Sequence, residues 1–193
     1  MTIAVIACGA LATHINEISK RNDLDVVIHP INPLLHNHPE KIAEEVEQHL
    51  EKLIPLHEKV IVGYSDCGTY GKLHEVCKRY DVHHFGGNHC YDVFATAEQM
   101  KREFEQEPGT YVLTDYLLRS FDFSVTKQLG LDRFPDLRNS YFGNYTRLLW
   151  LAQHWSSELQ TKAEQIAKQL ELRLQVIDVG DVHLEEQLLS LTS

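Results

Sequence analysis

The residues best equipped for chemistry in this chain are three cysteines, Cys8, Cys67 and Cys90. Cys8 and Cys67 are each followed by glycine, and Cys90 follows Asn88-His89. Each precedes or begins a stretch of helical period. Free backbone N–H groups and the helix dipole there favour a thiolate over a thiol. Thiolates are both metal ligands and nucleophiles, and three of them crowd unfavourably unless a cation or a proton relieves the repulsion. Three cysteines with one open position suit a zinc ion or an iron–sulfur cluster with one iron not held by protein. A fourth ligand can come from His36, His38 or His89. His89, next to Cys90, is assigned to the metal, and His36, Asp66 and Asp115 to catalysis. The fourth cysteine, Cys77, lies mid-helix beside Val76 and four residues after Leu73, the placement of a small core residue.

The elements that would position these groups follow from periodicity. Apolar, β-branched runs at 2–7, 25–31, 59–64, 82–85, 110–113, 147–151 and 174–179 read as strands. Between them, apolar residues recur at helical spacing in 10–20, 39–54, 73–80, 90–106, 116–130, 158–170 and 182–191. In 39–54 the stripe is Ile42, Val46, Leu50 and Leu53, with Pro39 suited to the first turn. Strand–helix alternation implies an α/β fold of three layers, Rossmann-like, with a largely parallel sheet covered by helices on both faces. Right-handed crossovers bring the carboxyl ends of all strands to one rim, where ligands of open sheets bind. Cys8, Asp66, Cys67, Cys90 and Asp115 all fall just after strands, as does the loop holding His36.

The 193 residues suit a single domain, 1–193, with one core. A net charge of −10 argues against nucleic acid as the main partner, because phosphate binding needs a basic face. No apolar stretch is long enough to span a bilayer, and the first residues read as a strand rather than a signal peptide. A cytoplasmic location is expected, with reduced cysteines for which metal binding or catalysis outranks disulfides. Gly-x-Gly-x-x-Gly, a phosphate loop and His-Glu-x-x-His are all missing, so nucleotide and zinc-protease readings lose support.

Ordered motifs run along nearly the whole chain: Ala7-Cys8-Gly9-Ala10-Leu11, Leu35-His36-Asn37, Gly63-Tyr64-Ser65-Asp66-Cys67-Gly68-Thr69, His89-Cys90-Tyr91, Leu113-Thr114-Asp115-Tyr116, Gly130-Leu131-Asp132-Arg133 and Tyr141-Phe142-Gly143-Asn144-Tyr145. In these the chain resembles domain of unknown function family 1638. The resemblance implies an α/β fold and singles out the same three cysteines, with Cys77 outside the motifs. It hints at one-carbon metabolism beside a corrinoid methyltransferase as partner. It also draws attention to residues 131–145 as a lid-like connection over the rim, in which Arg133 can clamp a carboxylate or phosphate. Two positions depart from the family pattern: Asp92 where Glu is expected, and Tyr70 where Gly is expected.

The leading expectation is a metal-binding protein, leaning to an enzyme. Cys8, Cys67 and Cys90 hold an iron–sulfur cluster or zinc, with a site open to a small-molecule substrate. Lyase, desulfurase or methyl-transfer chemistry suits such a centre. One competing reading is a metal-free cysteine enzyme, acid/base or nucleophilic, resembling amino-acid racemases. The other is a non-enzymatic metal or cofactor carrier or accessory factor.

Overall fold

The computed structural model describes residues 2–193. In chain order the elements are β1 (Ile3–Cys8), α1 (Ala12–Arg21), β2 (Val26–Ile31), two 3-10 turns (Pro33–Asn37 and Pro39–Lys41), α2 (Ile42–Leu53), β3 (Lys59–Gly63), α3 (Lys72–Arg79), β4 (His83–His84), α4 (Asp92–Ala95) and α5 (Ala97–Gln106). Then come β5 (Thr110–Thr114), α6 (Asp115–Phe121), a π-helical turn (Asp122–Thr126), α7 (Leu137–Phe142), β6 (Arg147–Ala152), α8 (Ser157–Leu170), β7 (Arg173–Asp178) and α9 (Val182–Thr192). All seven strand runs of the sequence are strands. They form two parallel sheets, however, and the chain divides into two compact units. One unit contains the residues up to Thr96 together with Asp181–Ser193; the other is Ala97–Gly180.

In the first unit the strand order is β2-β1-β3-β4, all parallel. Ala4 to Cys8 of β1 are fully buried, as a strand covered on both faces must be. Ile42, Val46, Leu50 and Leu53 of α2 are buried on one stripe, which is what their spacing requires. The chain steps outward from β1 to β2 on one side and from β3 to β4 on the other. The switch point, where open parallel sheets bind ligands, therefore lies between the carboxyl ends of β1 and β3. The returning segment is fastened inside this unit. Arg21 of α1 forks onto Asp181 at 3.0 Å through two nitrogens and also bonds Glu185 of α9.

The second unit is built on β5-β6-β7, again parallel. β6 is buried along its whole length. Its first residue, Arg147, is 2% exposed and sits in a closed network: Glu103 at 2.7 Å, Thr110 Oγ1 at 2.7 and 2.9 Å, and Gln175 at 3.0 Å. A buried guanidinium is tolerable only when its donors are satisfied in this way.

Three helical expectations change. Residues 90–106 are not one helix, because Thr96 takes φ +61° between α4 and α5. Residues 116–130 leave the α-helix after Phe121 and widen through a π-helical turn. The polar connection 131–145 contains α7, whose Phe142 is buried against Tyr111. Among the described residues, no helix is long and apolar enough to cross a membrane.

Candidate functional site

Each strand of the first unit delivers one side chain to the carboxyl edge of its sheet. β1 ends in Cys8, the first turn after β2 carries His36, the loop after β3 carries Cys67, and the loop after β4 carries Cys90. Ligand atoms of His36, Cys67 and Cys90 all lie within 4.8 Å of one another. Cys8 lies outside that tight set but beside it, near enough for its charge to bear on Cys90 and on the Tyr64 hydroxyl.

Local sequence explains how each group is held. Asn32 caps the turn Pro33–Asn37, its Oδ1 accepting from Leu34 N at 3.0 Å. Within that turn His36 Nδ1 lies 3.0 Å from the Pro33 carbonyl. A carbonyl can only accept, so Nδ1 carries the proton and Nε2 the lone pair. Nε2 is buried and meets no hydrogen-bond partner. The His36 ring stacks on Tyr64, 5.6 Å between centroids. Gly9 lets this turn approach β1: a Cβ there would lie 2.8 Å from Pro33 Cδ and 2.9 Å from the Ile31 carbonyl.

Cys67 sits in a left-handed backbone conformation, φ +48°. Such a position is costly for a residue with a Cβ and persists only when its surroundings enforce it. Here the Cys67 N–H donates to Asn88 O at 2.8 Å, tying the two cysteine loops together. The Asp66 carboxylate accepts from Thr69 Oγ1, Gly71 N and Tyr70 N at 2.5, 2.8 and 3.1 Å. Ser65 Oγ donates to Gly86 O at 2.9 Å. The Cys90 loop has a matching clasp: Asp92, buried, accepts from Asn88 N at 2.7 Å and His89 N at 3.1 Å.

Electrostatics follow from burial and crowding. Burial, then the nearby Cys90, pushes the Cys8 thiol up to about 12. The hydrogen bond that the Cys90 thiol donates to Cys67, then burial, holds Cys90 protonated well above the ordinary thiol range, with His36 pulling the other way. Burial works against a charged His36, but Cys90 and the Pro33 carbonyl outweigh it and raise its basicity. Tyr64 is completely buried; burial, then Cys8, raises its phenol. Its hydroxyl has no hydrogen-bond partner of ordinary geometry. A buried polar group without a partner costs on the order of 1–3 kcal/mol, so an unpartnered imidazole nitrogen and an unpartnered phenol at one sheet edge call for a ligand. Two sulfurs and one nitrogen within this spread fit a single soft or borderline cation such as zinc.

The remaining sequence-assigned residues go elsewhere. His89 is exposed and stacked on Tyr91, 4.9 Å between centroids, so the imidazole beside Cys67 and Cys90 is that of His36. His38 is exposed and paired with Glu40. The three hydrogen bonds on Asp66 make it the pin of the Cys67 turn rather than an acid or base. They also hold its carboxyl below the usual range, outweighing burial. Asp115 belongs to the second unit. It is fully buried, with Oδ1 accepting from Trp150 Nε1 at 2.8 Å and Gln153 N at 3.2 Å, and Oδ2 from His154 N at 2.8 Å. It ties the ends of β5 and β6 together. Arg133, also of the second unit, is exposed, 5.7 Å over the Phe134 ring and 3.9 Å from Asp132. Cys77 is buried in α3. Tyr64 was missed because it ends an apolar run and reads as core; its polar tip at the carboxyl end of β3 was the available signal.

No curated protein and no solved structure matches the chain. A comparison with protein families matches residues 31–188 to the one described as "Protein of unknown function (DUF1638)". His36, Cys67 and Cys90 lie within the matched segment, and Cys8 precedes it. The match spans most of the chain, and the protein belongs to the DUF1638 family.

Proposed function

We propose that this protein is a metal-dependent enzyme whose centre is a zinc-type ion held by His36, Cys67 and Cys90, with one position left for a small-molecule substrate. The observation that carries the reading is the mutual closeness of the three donor atoms, within 4.8 Å. With Zn–S bonds of about 2.3 Å and Zn–N bonds of about 2.0–2.1 Å, donors on one tetrahedral ion lie roughly 3.3–3.8 Å apart. Cysteines on separate irons of a cluster stand farther apart, so the spread favours a single ion over an iron–sulfur cluster. Two cysteines and one histidine with a fourth position open is a donor set of catalytic zinc.

When bound, the ion supplies a Lewis acid and a docking point for a substrate sulfur or oxygen. The chain supplies the rest. The Pro33 carbonyl fixes the His36 tautomer so that Nε2 can donate its lone pair. Asp66 and Asp92 hold the two cysteine loops in register. Cys8 remains a thiol at neutral pH and offers a proton rather than a charge. The Tyr64 hydroxyl is a second proton donor in the same place. Small thiols, with desulfuration or methyl transfer as the chemistry, fit a thiophilic centre flanked by neutral donors. The raised Cys8 weighs against its use as a nucleophile, because an uncharged thiol is a poor one.

Replacement of the bound ion by Co2+ under reducing, anaerobic conditions tests the proposal. Thiolate-to-cobalt charge-transfer absorption with tetrahedral d–d bands is expected. A six-coordinate spectrum without thiolate absorption would overturn it.

A further inference from the structure

Cys67 and Cys90 belong to separate loops, after β3 and β4, yet the backbone laces those loops together. The Asp66 N–H donates to Gly87 O at 3.3 Å and the Cys67 N–H to Asn88 O at 2.8 Å, so the two loops run side by side into the two cysteines. Each loop also has its own pin. Asp66 accepts from Gly71 N at 2.8 Å in the Cys67 turn, and Asp92 accepts from Asn88 N at 2.7 Å in the Cys90 loop. The chain alone makes all of these bonds. They leave the two sulfurs within 4.8 Å of each other. All four cysteines are free thiols; Cys90 is half-buried, and Cys8, Cys67 and Cys77 are buried. Cys8 stands outside the tight set, and Cys77 lies in α3. The adjacent pair with one member open to a small oxidant is therefore Cys67 and Cys90.

We propose that Cys67 and Cys90 are a redox-sensitive pair, which a two-electron oxidant of the peroxide class converts to a reversible disulfide that dismantles the centre. The formation of the disulfide stands on the geometry alone, whereas the loss of the ion rests on the zinc reading given above. In the first step the thiolate of one cysteine attacks a peroxide oxygen; the S–O bond forms, the O–O bond breaks and hydroxide leaves, giving a sulfenic acid. In the second step the other sulfur attacks the sulfenic sulfur; the S–S bond forms, the S–O bond breaks, and the oxygen leaves with a proton as water. Two thiols and one hydrogen peroxide thus give one disulfide and two waters, the sulfurs losing two electrons and the peroxide gaining them. Closing to an S–S bond of about 2.05 Å needs the side chains to turn while the laced loops keep the backbones close. Metal ligation needs thiolates, and a disulfide has none. His36 would then be the last donor of the three, too few to keep the ion. A thiol reductant returns both sulfurs and restores the site.

The test treats full-length wild-type protein with excess hydrogen peroxide, both metal-free and loaded with Zn2+, and then blocks the remaining thiols. Lys72 and Arg79 lie between the two cysteines, so tryptic peptides report their cross-link by mass spectrometry. Loss of two of the four free thiols is expected in both samples, with Cys67 and Cys90 in one cross-linked pair of peptides. Zn2+ should leave the loaded sample in step with the cross-link, read by a chromogenic chelator, and return after reduction. Cys77→Ser should behave as wild type, and Cys67→Ser should stop at the sulfenic acid. A cross-link that includes Cys8 or Cys77, or oxidation to sulfinic and sulfonic acids with no cross-link, would overturn the pair. Zn2+ retained in fully cross-linked protein would overturn its role as a switch. Because the cross-link is also read in metal-free protein, failure of the disulfide and failure of the zinc centre are distinguishable.

Discussion

His36 Nδ1 lies 3.0 Å from the carbonyl oxygen of Pro33, three residues back along a single 3-10 turn. That one hydrogen bond decides which ring nitrogen faces the cysteines. Long-range 1H–15N correlation spectra of the zinc-loaded protein should show the His36 proton on Nδ1 and the metal-shifted nitrogen at Nε2. The reverse assignment would mean that His36 does not bind in the arrangement described.

The clasp on the Cys90 loop should matter nearly as much as the ligands. Asp92→Ala removes the acceptor for Asn88 N and His89 N. Zinc affinity should fall by about 10–100-fold, as for other outer-shell losses, when measured by chelator competition. Asp92→Asn keeps one accepting oxygen and should lose less. Equal losses in the two variants would assign the effect to charge rather than to the clasp.

pH dependence has a definite sign. Cys8 and Cys77 are each raised from 9.0 to about 12 in the folded protein. Between those values the folded chain binds more protons than the unfolded chain. Their contribution to stability is therefore complete below about pH 9 and is lost as pH rises toward 12. Metal-free, reduced protein should lose stability over that interval in denaturant titrations, with a shallower loss in Cys77→Ala. Stability that rises from pH 9 upward would contradict the burial of these thiols. Zinc uptake, which displaces the thiol protons of Cys67 and Cys90, should release protons and tighten as pH increases.

Much of this fold was legible in the sequence, for identifiable reasons. Strand runs are short and most are bounded by Gly, Pro or Asp, so all seven could be read. The placement of Cys8, Cys67 and Cys90 at the carboxyl ends of β1, β3 and β4 followed from the strand runs and parallel topology. The division into two sheets did not, because strand alternation is the same whether a sheet continues or ends. Which histidine lies beside Cys67 and Cys90 was not legible either. It depends on the Pro33 carbonyl and the Asp92 clasp, contacts that spacing does not encode. Asp66 and Asp115 read as chemistry because carboxylates after strands serve catalysis and turns alike. Only their hydrogen-bond partners separate the two roles.

Tyr70 lies in the turn that Asp66 pins. Its backbone is left-handed, φ +53°, and its side chain is 94% exposed. A residue with a Cβ pays roughly 1–2 kcal/mol there, against roughly 0.5–1 kcal/mol of extra chain entropy for glycine. Tyr70→Gly should stabilise the protein by about 0.5–1 kcal/mol in chemical denaturation without altering metal affinity. A clear loss of stability would show that the exposed ring does work that the structure does not reveal.

The most direct test of the cysteine–histidine centre is zinc content measured side by side in wild type, His36→Ala, Cys67→Ser, Cys90→Ser and Cys77→Ser. The protein is purified reduced. Zinc is expected in wild type and Cys77→Ser, and not in the other three. Zinc retained by His36→Ala, Cys67→Ser or Cys90→Ser, or lost from Cys77→Ser, would contradict the assignment of His36, Cys67 and Cys90 as its ligands.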